Sequence, residues 1–390
     1  MTLITAFANL FGLGGAPLCA MARGKGNREG AQGIMVNAGF MLLLSGAVLT
    51  VLGIAFHRPL LYLFGASEVT YPYASSYIVI YLLGTLCVML SLGLNPYINC
   101  QGFARTGMLT VALGAAANIV LDPIFIFALH LGVRGAAIAT VLSQLLSAAW
   151  VVKFLTGKKA ELKLDFRGFR PDWHCIQRIT VLGIASFVMS FTDMLVQVAC
   201  NSMLRGFGGD LYISVMTVLN SVRQIAQTPV LAIADGASTA ISYNYGAGLY
   251  KRTRDAIRFM TQIAIGYTML VWMLVSLFPA LFIRIFNQDA ELVAAAVPAL
   301  HIYFFGFVMM AFQYAGQSTF RALGRAKYAV FFSLLRKAFI VVPLTLLLPY
   351  CWNLGVSGVF AAEPVSNCIG GLACYFTMRH VVMPELKMEN

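Results

Sequence analysis

The chain has 390 residues, of which 59% are hydrophobic and only 11% charged, and its mean hydropathy is +0.80. An average soluble domain carries about 25% charged residues, so this composition excludes an ordinary soluble protein. The net charge of +12 does not indicate nucleic-acid binding, because the basic residues gather in alternate loops between apolar runs.

Apolar runs long enough to cross a bilayer recur along the whole chain, since one spanning helix needs about 20 such residues. A shorter apolar piece at 1–22 comes first. Ten full spans follow it, at 33–56, 71–94, 107–129, 135–155, 179–204, 211–245, 257–282, 295–320, 328–349 and 356–379. The chain is therefore predicted to be an all-α polytopic membrane protein.

The loops that are rich in Lys and Arg predict the orientation of these spans. Basic loops stay on the cytoplasmic side, and the C-terminus falls on that same side. We expect a multi-pass protein of the cell (plasma) membrane with a cytoplasmic C-terminus.

Landmarks in the first half of the chain recur in the second half, 220 to 223 residues later. They are QGFAR at 101–105 with RALGR at 321–325, Pro123 with Pro343, and LGVRG at 131–135 with LGVSG at 354–358. Both copies keep the same order of basic and non-basic loops, so the repeat is parallel, as in many transporters. The start of the second half has no counterpart, so the first lobe is predicted to lack its N-terminal helix.

A polar cluster lies inside the apolar stretch 118–140. Asn118 and Asp122 are four residues apart and share one face of a helix. Pro123 has no N–H and leaves the carbonyl of Ile119 without its helical donor. Because polar groups are costly in hydrocarbon, we expect a proton or a small cation to satisfy them.

Four motifs resemble the multidrug and toxic-compound extrusion (MATE) family. They are NIVLDPIFIF at 118–127, GVRGAAIAT at 132–140, SYNYGAG at 242–248 and FRALGRAK at 320–327. NPYINCQGFARTGM at 95–108 resembles its MepA-like branch. The resemblance implies two six-helix lobes: an N-lobe at 1–155 with a partial second helix through the sixth helix, a cytoplasmic linker at 156–173, and a C-lobe at 174–390 with the seventh to twelfth helices.

The resemblance also implies site residues and an activity. Asp122, Asn118 and Thr140 match the ion-coupling or proton-coupling residues of the family, and Asn95 matches an Asn that lines the substrate cavity. The implied activity is secondary active transport, in which drugs, xenobiotics or organic cations leave in exchange for Na⁺ or H⁺ by alternating access.

Other charged residues lie within the predicted spans. Asp193 and Arg223 sit at matching depths in consecutive spans, which predicts a structural ion pair, with cargo binding by Asp193 as the alternative. Asp235 and Glu363 are further candidates for the substrate cavity, or for polar packing contacts. Because the mid-membrane charges are mostly acidic, the sequence favours a cationic cargo.

Enzyme activity is not predicted, because the sequence lacks the Walker, GxSxG and HExxH motifs. We expect no cofactor apart from Na⁺ or H⁺ as the coupling ion, no metal centre, and a monomer in the lipid bilayer whose partner is a small drug-like substrate. Two alternatives remain open. One is a lipid-linked saccharide flippase of the same superfamily, and the other is an inactive truncated transporter remnant.

Overall fold

The computed structural model describes residues 2–63, 68, 70–351 and 354–388, and within these residues the chain is helical with no β-strand. Met1 and residues 389–390, at the ends of the predicted lobes, lie outside the described residues. The chain divides into two compact units, Met1–Phe187 and Val188–Asn390. The predicted all-α class is confirmed, whereas the predicted lobe and linker boundaries stay predictions.

Unit 1, Met1–Phe187, holds six helices and the beginning of a seventh. They are α1 Thr2–Gly24, α2 Arg28–Leu63, α3 Tyr71–Leu83, α4 Thr85–Cys100, α5 Ala104–Pro123, a π-helical turn Ile124–Ala128, α6 Gly132–Thr156 and the start of α7 Trp173–Gly246. Helix α1 packs against α2 and α4, and α5 packs against α6.

Unit 2, Val188–Asn390, holds the rest of α7 and seven further helices. They are α8 Tyr250–Leu277, α9 Pro279–Arg284, α10 Ala290–Phe304, α11 Met309–Ala322, α12 Ala326–Leu334, a π-helical segment Leu335–Val341, α13 Val342–Leu347 and α14 Val356–Met388. Helix α14 packs against α11, α10, α13 and the π-helical segment, so it is the central helix of this unit.

Two spans in equivalent positions of the repeat are bent. In unit 1, α3 and α4 meet at Gly84 with a bend of 54°, and in unit 2, α10 and α11 are bent by 49°. Among the described residues, seven helices are long and apolar enough to cross a membrane, or nine if each bent pair is one span. Each of the ten predicted spans nevertheless coincides with a helix or with successive helices of the structure.

Helix α7 contains two of the predicted spans, 179–204 and 211–245, in one stretch of 74 residues. Gly209 interrupts it with φ 68° and ψ −165°, a conformation that residues with a Cβ rarely adopt. Near its start, α7 packs tightly on α1, where a Cβ on Gly183 would lie 1.8 Å from the carbonyl oxygen of Leu10. Such small-residue contacts let membrane helices approach closely.

The repeated LGVxG motif has the same turn geometry in both units. Its first glycine, Gly132 in unit 1 and Gly355 in unit 2, has φ of 54° and 53° respectively. Each glycine begins or directly precedes the helix that follows the motif, α6 in unit 1 and α14 in unit 2. The left-handed conformation explains why the sequence keeps a glycine there in both copies.

The second glycine of the motif permits a close backbone approach. A Cβ on Gly135 would lie 2.5 Å from the carbonyl oxygen of Phe125, and one on Gly358 would lie 2.7 Å from the carbonyl carbon of Leu348. The helix that follows the motif, α6 or α14, therefore packs directly on the end of the preceding span. The repeat found in the sequence is a repeat of turn and packing geometry.

The segment 157–172, within the predicted linker 156–173, packs onto unit 1. The backbone N–H of Leu162 donates to Gln101 Oε1 at 2.9 Å, and that of Asp172 donates to Asn37 Oδ1 at 3.0 Å. Leu162 is almost completely buried. These contacts hold the segment against unit 1, and its role as a linker between the lobes stays a prediction.

Candidate functional site

A polar pair lies on the last two turns of α5 in unit 1. Asn118 Nδ2 donates to Asp122 Oδ1 at 3.2 Å, and both residues are half-buried. Ile119 and Val120, which lie between them in the sequence, are exposed on the apolar surface of α5. The structure thus brings Asn118 and Asp122 together, as their spacing of four residues requires on a helix.

Backbone irregularity begins directly after this pair. Helix α5 ends at Pro123 and continues as the π-helical turn Ile124–Ala128, where the N–H of Leu129 donates to the carbonyl of Ile124 at 2.9 Å. Pro123 has no N–H to donate to Ile119. Single π-helical turns inside helices are frequent at functional sites, so the position of this turn beside Asp122 is consistent with a site.

The other two residues predicted for unit 1 have separate surroundings. Thr140, half-buried on α6, donates its hydroxyl to the carbonyl of Ala136 at 2.9 Å. Asn95 on α4 has a buried Oδ1, close to Gly107 of α5, that finds no hydrogen-bond partner among the described residues. Their roles in ion coupling and in the substrate cavity stay predictions.

Unit 2 contains a group of five charged residues, here called the Glu363 cluster, of which the last three are buried: Asp193, Arg223, Arg336, Lys337 and Glu363. Glu363 Oε1 accepts hydrogen bonds from Arg223 Nη1 at 2.8 Å, Arg336 Nη1 at 3.2 Å and Lys337 Nζ at 3.0 Å. The Lys337 Nζ also lies 2.9 Å from Asp193 Oδ1. The cluster is therefore a chain of ion pairs that runs from Arg223 through Glu363 and Lys337 to Asp193.

The ion pair that the sequence predicts between Asp193 and Arg223 is replaced by other partners. Arg223 binds Glu363, and Asp193 binds Lys337. Matching depths on the two halves of α7 identified residues at the right level of the membrane. That comparison left out Arg336 and Lys337, which enter from the π-helical segment and compete for the carboxylates.

Polar neighbours hold the cluster in place. Arg336 Nη1 donates to Asn367 Oδ1 at 2.7 Å, and Ser366 Oγ donates to the carbonyl of Arg336 at 2.8 Å. The Arg223 guanidinium lies over the Tyr303 ring, 5.7 Å from its centroid. The sequence signal for Arg336 was present, because two successive cations in the interior of an apolar span require carboxylate partners.

A cavity of about 460 Å³ lies beside the cluster inside unit 2. Asp193 and Glu363, which were predicted for the substrate cavity, both line it, and so does Arg223. Four amide side chains also line it: Gln197, Asn220, Gln224 and Gln227.

The remaining predicted cavity residue, Asp235, has a different place. It accepts a hydrogen bond from Arg321 Nη2 at 3.0 Å, in an ion pair away from the lining of that cavity. Among the residues that the structure describes, no group of three or more His, Cys, Asp or Glu side chains is arranged to hold a metal ion.

These features define a polytopic helical membrane protein with an internal repeat and charged groups inside its spans. The MatE family model matches residues 1–124 and 185–347, and the chain belongs to the MatE family. The resemblance found in the sequence is thereby confirmed.

Relatives with assigned names match almost the whole chain. The multidrug export protein MepA of Staphylococcus haemolyticus is 24% identical over 374 residues, which cover 96% of this chain and 81% of that protein. An FAD transporter of Shewanella oneidensis is 25% identical over 374 residues, which cover 93% of this chain and 80% of that protein.

Solved structures of this family share the fold. A structure described as the outward-facing conformation of a multidrug resistance MATE family transporter has a TM-score of 0.93 to this chain. The two are 23% identical, and the match covers 99% of this chain and 86% of the other. A crystal structure of MATE in complex with MaL6 has a TM-score of 0.94 at 23% identity, over 99% of this chain and 87% of the other.

Proposed function

We propose that this chain is a secondary active transporter that exports drug-like compounds in exchange for Na⁺ or H⁺. Membership of the MatE family supports a membrane transporter of small molecules. The name of the S. haemolyticus relative, a multidrug export protein, supports the direction of transport and the class of cargo. The cell membrane is the expected location, with the C-terminus in the cytoplasm.

The observation that carries the coupling proposal is the Asn118–Asp122 pair. Asp122 has no ion-pair partner among the basic residues that the structure describes, although it lies in an apolar span. An intramembrane carboxylate without a cation is costly, and it is most often functional. Na⁺ or H⁺ would remove that cost. A rotation of the Asn118 carboxamide, whose Nδ2 faces Asp122, would supply a second oxygen ligand for a cation.

The π-helical turn after Pro123 offers a way to transmit ion binding. Ion binding at Asp122 changes the charge of the carboxylate one residue before the point where α5 ends. Because Gly135 holds α6 against Phe125 in this turn, a change in α5 is passed directly to α6. In the proposed alternating-access cycle, this repacking drives the release of cargo.

The test is dye efflux from proteoliposomes that contain the purified chain, driven separately by a Na⁺ gradient and by a proton gradient. We expect the cationic methyl ester of a rhodamine dye to leave under at least one of the gradients. Asp122→Asn should abolish the gradient-driven part, whereas Asp255→Asn, which removes an exposed acid at the start of α8, should retain it. Undiminished coupled efflux by the Asp122→Asn variant would remove Asp122 from the mechanism. A wild-type chain that moves no dye under either gradient would contradict the proposal.

A second candidate function is the flipping of a lipid-linked saccharide. The observation that favours it is the excess of basic over acidic residues in the Glu363 cluster, since such a cargo carries a pyrophosphate. A fluorescent lipid pyrophosphate that changes leaflets in the same proteoliposomes, without efflux of the cationic dye, would establish this alternative.

A further inference from the structure

We propose that the cavity beside the Glu363 cluster binds the anionic group of an amphipathic molecule, a carboxylate, sulfonate or phosphate. This inference rests on the proposed export function, because it adds a second cargo class to the cationic dye of the efflux test. It departs from the sequence-based expectation of a cationic cargo, and the reason lies in the pairing of charges inside unit 2.

The charge balance of the cluster is positive. Three cations, Arg223, Arg336 and Lys337, face two carboxylates, so one positive charge is left over. The carboxylates Asp193 and Glu363 are both engaged by these cations. A cationic cargo would therefore compete with a buried Lys or Arg for these carboxylates, which is costly. An anionic group, by contrast, neutralises the excess charge.

Arg223 is the cation that a ligand in the cavity reaches first. Its side chain is 21% exposed, whereas those of Arg336 and Lys337 are 4% and 2% exposed, and it alone of the three lines the cavity. Its bond to Glu363 uses Nη1, which leaves the Nη2 and Nε donors outside that bond. The planar guanidinium matches the two oxygens of a carboxylate or phosphate.

Asp193 would compete with a bound anion for Lys337. Its side chain is 37% exposed, lines the same cavity and binds the buried Lys337 at 2.9 Å. A ligand anion that takes its place would be bound by Lys337 and Arg223 together. Removing the Asp193 charge should therefore strengthen anion binding, whereas removing the Arg223 charge should weaken it.

The size and lining of the cavity suit the rest of such a molecule. A volume of about 460 Å³ falls within the range of pockets for drug-sized ligands. The amides of Gln197, Asn220, Gln224 and Gln227 supply uncharged donors and acceptors, and Val196 and Met216 supply apolar surface. The site thus combines one accessible cation, Arg223, with a lining of polar and apolar side chains.

The experiment compares two probes that differ in one group, a rhodamine dye with a free carboxylate and the methyl ester of the same dye. Fluorescence anisotropy measures the binding of each dye to the purified chain in phosphatidylcholine nanodiscs. We expect the carboxylate dye to bind about tenfold more tightly or better, as for a charge-assisted hydrogen bond. Arg223→Gln should remove this preference and leave the affinity for the ester nearly unchanged.

Two further variants distinguish loss of the anion site from misfolding of the protein. Asp193→Asn should raise the affinity for the carboxylate dye, a direction that a merely structural role does not produce. Arg258→Gln, which removes an exposed cation of α8, controls for the net charge of the protein and should leave the preference unchanged. Equal affinity for the two dyes, or equal losses for both dyes in the Arg223→Gln variant, would overturn the proposal.

A lipid arm identifies the source of the anionic group. If phosphatidylglycerol in the nanodiscs lowers the affinity for the carboxylate dye in the wild-type chain and not in Arg223→Gln, a lipid phosphate occupies the site. If it does not, the site belongs to a soluble cargo. Both results support an anion site. If the anion preference is absent but the ester dye still leaves under a gradient, the anion site is wrong and the transport function stands. If the anion preference is present but no gradient-driven efflux occurs, the transport function is wrong and the anion site stands.

Discussion

The two units carry their intramembrane charges at different positions of equivalent helices. In unit 1, Asn118 and Asp122 lie on α5, and the corresponding positions of unit 2 hold Ala338 and Val342. The charged residues of unit 2 stand where unit 1 has small or neutral ones. The corresponding pairs are Arg336 with Ala116, Lys337 with Ala117, and Glu363 with Thr140.

This difference separates two uses of a buried carboxylate. Asp122 is half-buried, and among the described residues Asn118 is its side-chain hydrogen-bond partner. Glu363 is almost fully buried and already accepts bonds from three cations. We therefore expect Asp122 to matter more for coupling than for stability, and Glu363 to matter for stability first.

The largest expected effect is that of Glu363→Gln. This change removes the carboxylate that Arg223, Arg336 and Lys337 share and leaves Asp193 as the remaining carboxylate of the cluster, so buried cations lose their partner. The free energy of unfolding should fall by about 3–5 kcal/mol. Denaturation of the purified protein in mixed micelles measures this loss.

A matched double variant separates the charge effect from packing. Glu363→Gln combined with Lys337→Gln removes one charge of each sign and should recover part of the lost stability. Glu291→Gln, at an exposed acid in the first turn of α10, serves as the control and should change little. A double variant less stable than the single one would contradict ion pairing as the source of the effect.

An intermediate effect is expected from the second glycine of the LGVxG motif. Gly135→Ala and Gly358→Ala each force a Cβ against the backbone of the preceding span, at Phe125 and Leu348 respectively. Each should lower the free energy of unfolding by about 1–3 kcal/mol, as for overpacking in a core. Similar losses in the two variants would confirm that the repeat is one of packing, and a loss in only one unit would break the equivalence.

The smallest effect on stability is expected from Asp122→Asn. The variant keeps the shape of the side chain, and the group it changes is half-buried with one neutral partner. The free energy of unfolding should change by less than about 1 kcal/mol. The same variant should lose gradient-driven efflux. A large loss of stability would show instead that Asp122 is a structural acid, like Glu363.

Much of this fold follows from the sequence, because a bilayer imposes its thickness on every span. The apolar runs gave the helices, and the LGVxG landmarks gave the repeat. The bends were not predicted, since α3 and α4 meet at Gly84 within one uninterrupted apolar run. Such a bend depends on how neighbouring helices pack, and hydropathy does not report packing.

The Asn118–Asp122 pair was determined by the sequence alone, because the geometry of one helix brings residues four apart together. The Glu363 cluster was decided by the tertiary structure. Its members come from α7, the π-helical segment and α14, and Arg223 and Glu363 are 140 residues apart in the chain. Depth in a membrane is readable from distance along a span, but the partner of a charge depends on which faces of separate helices meet.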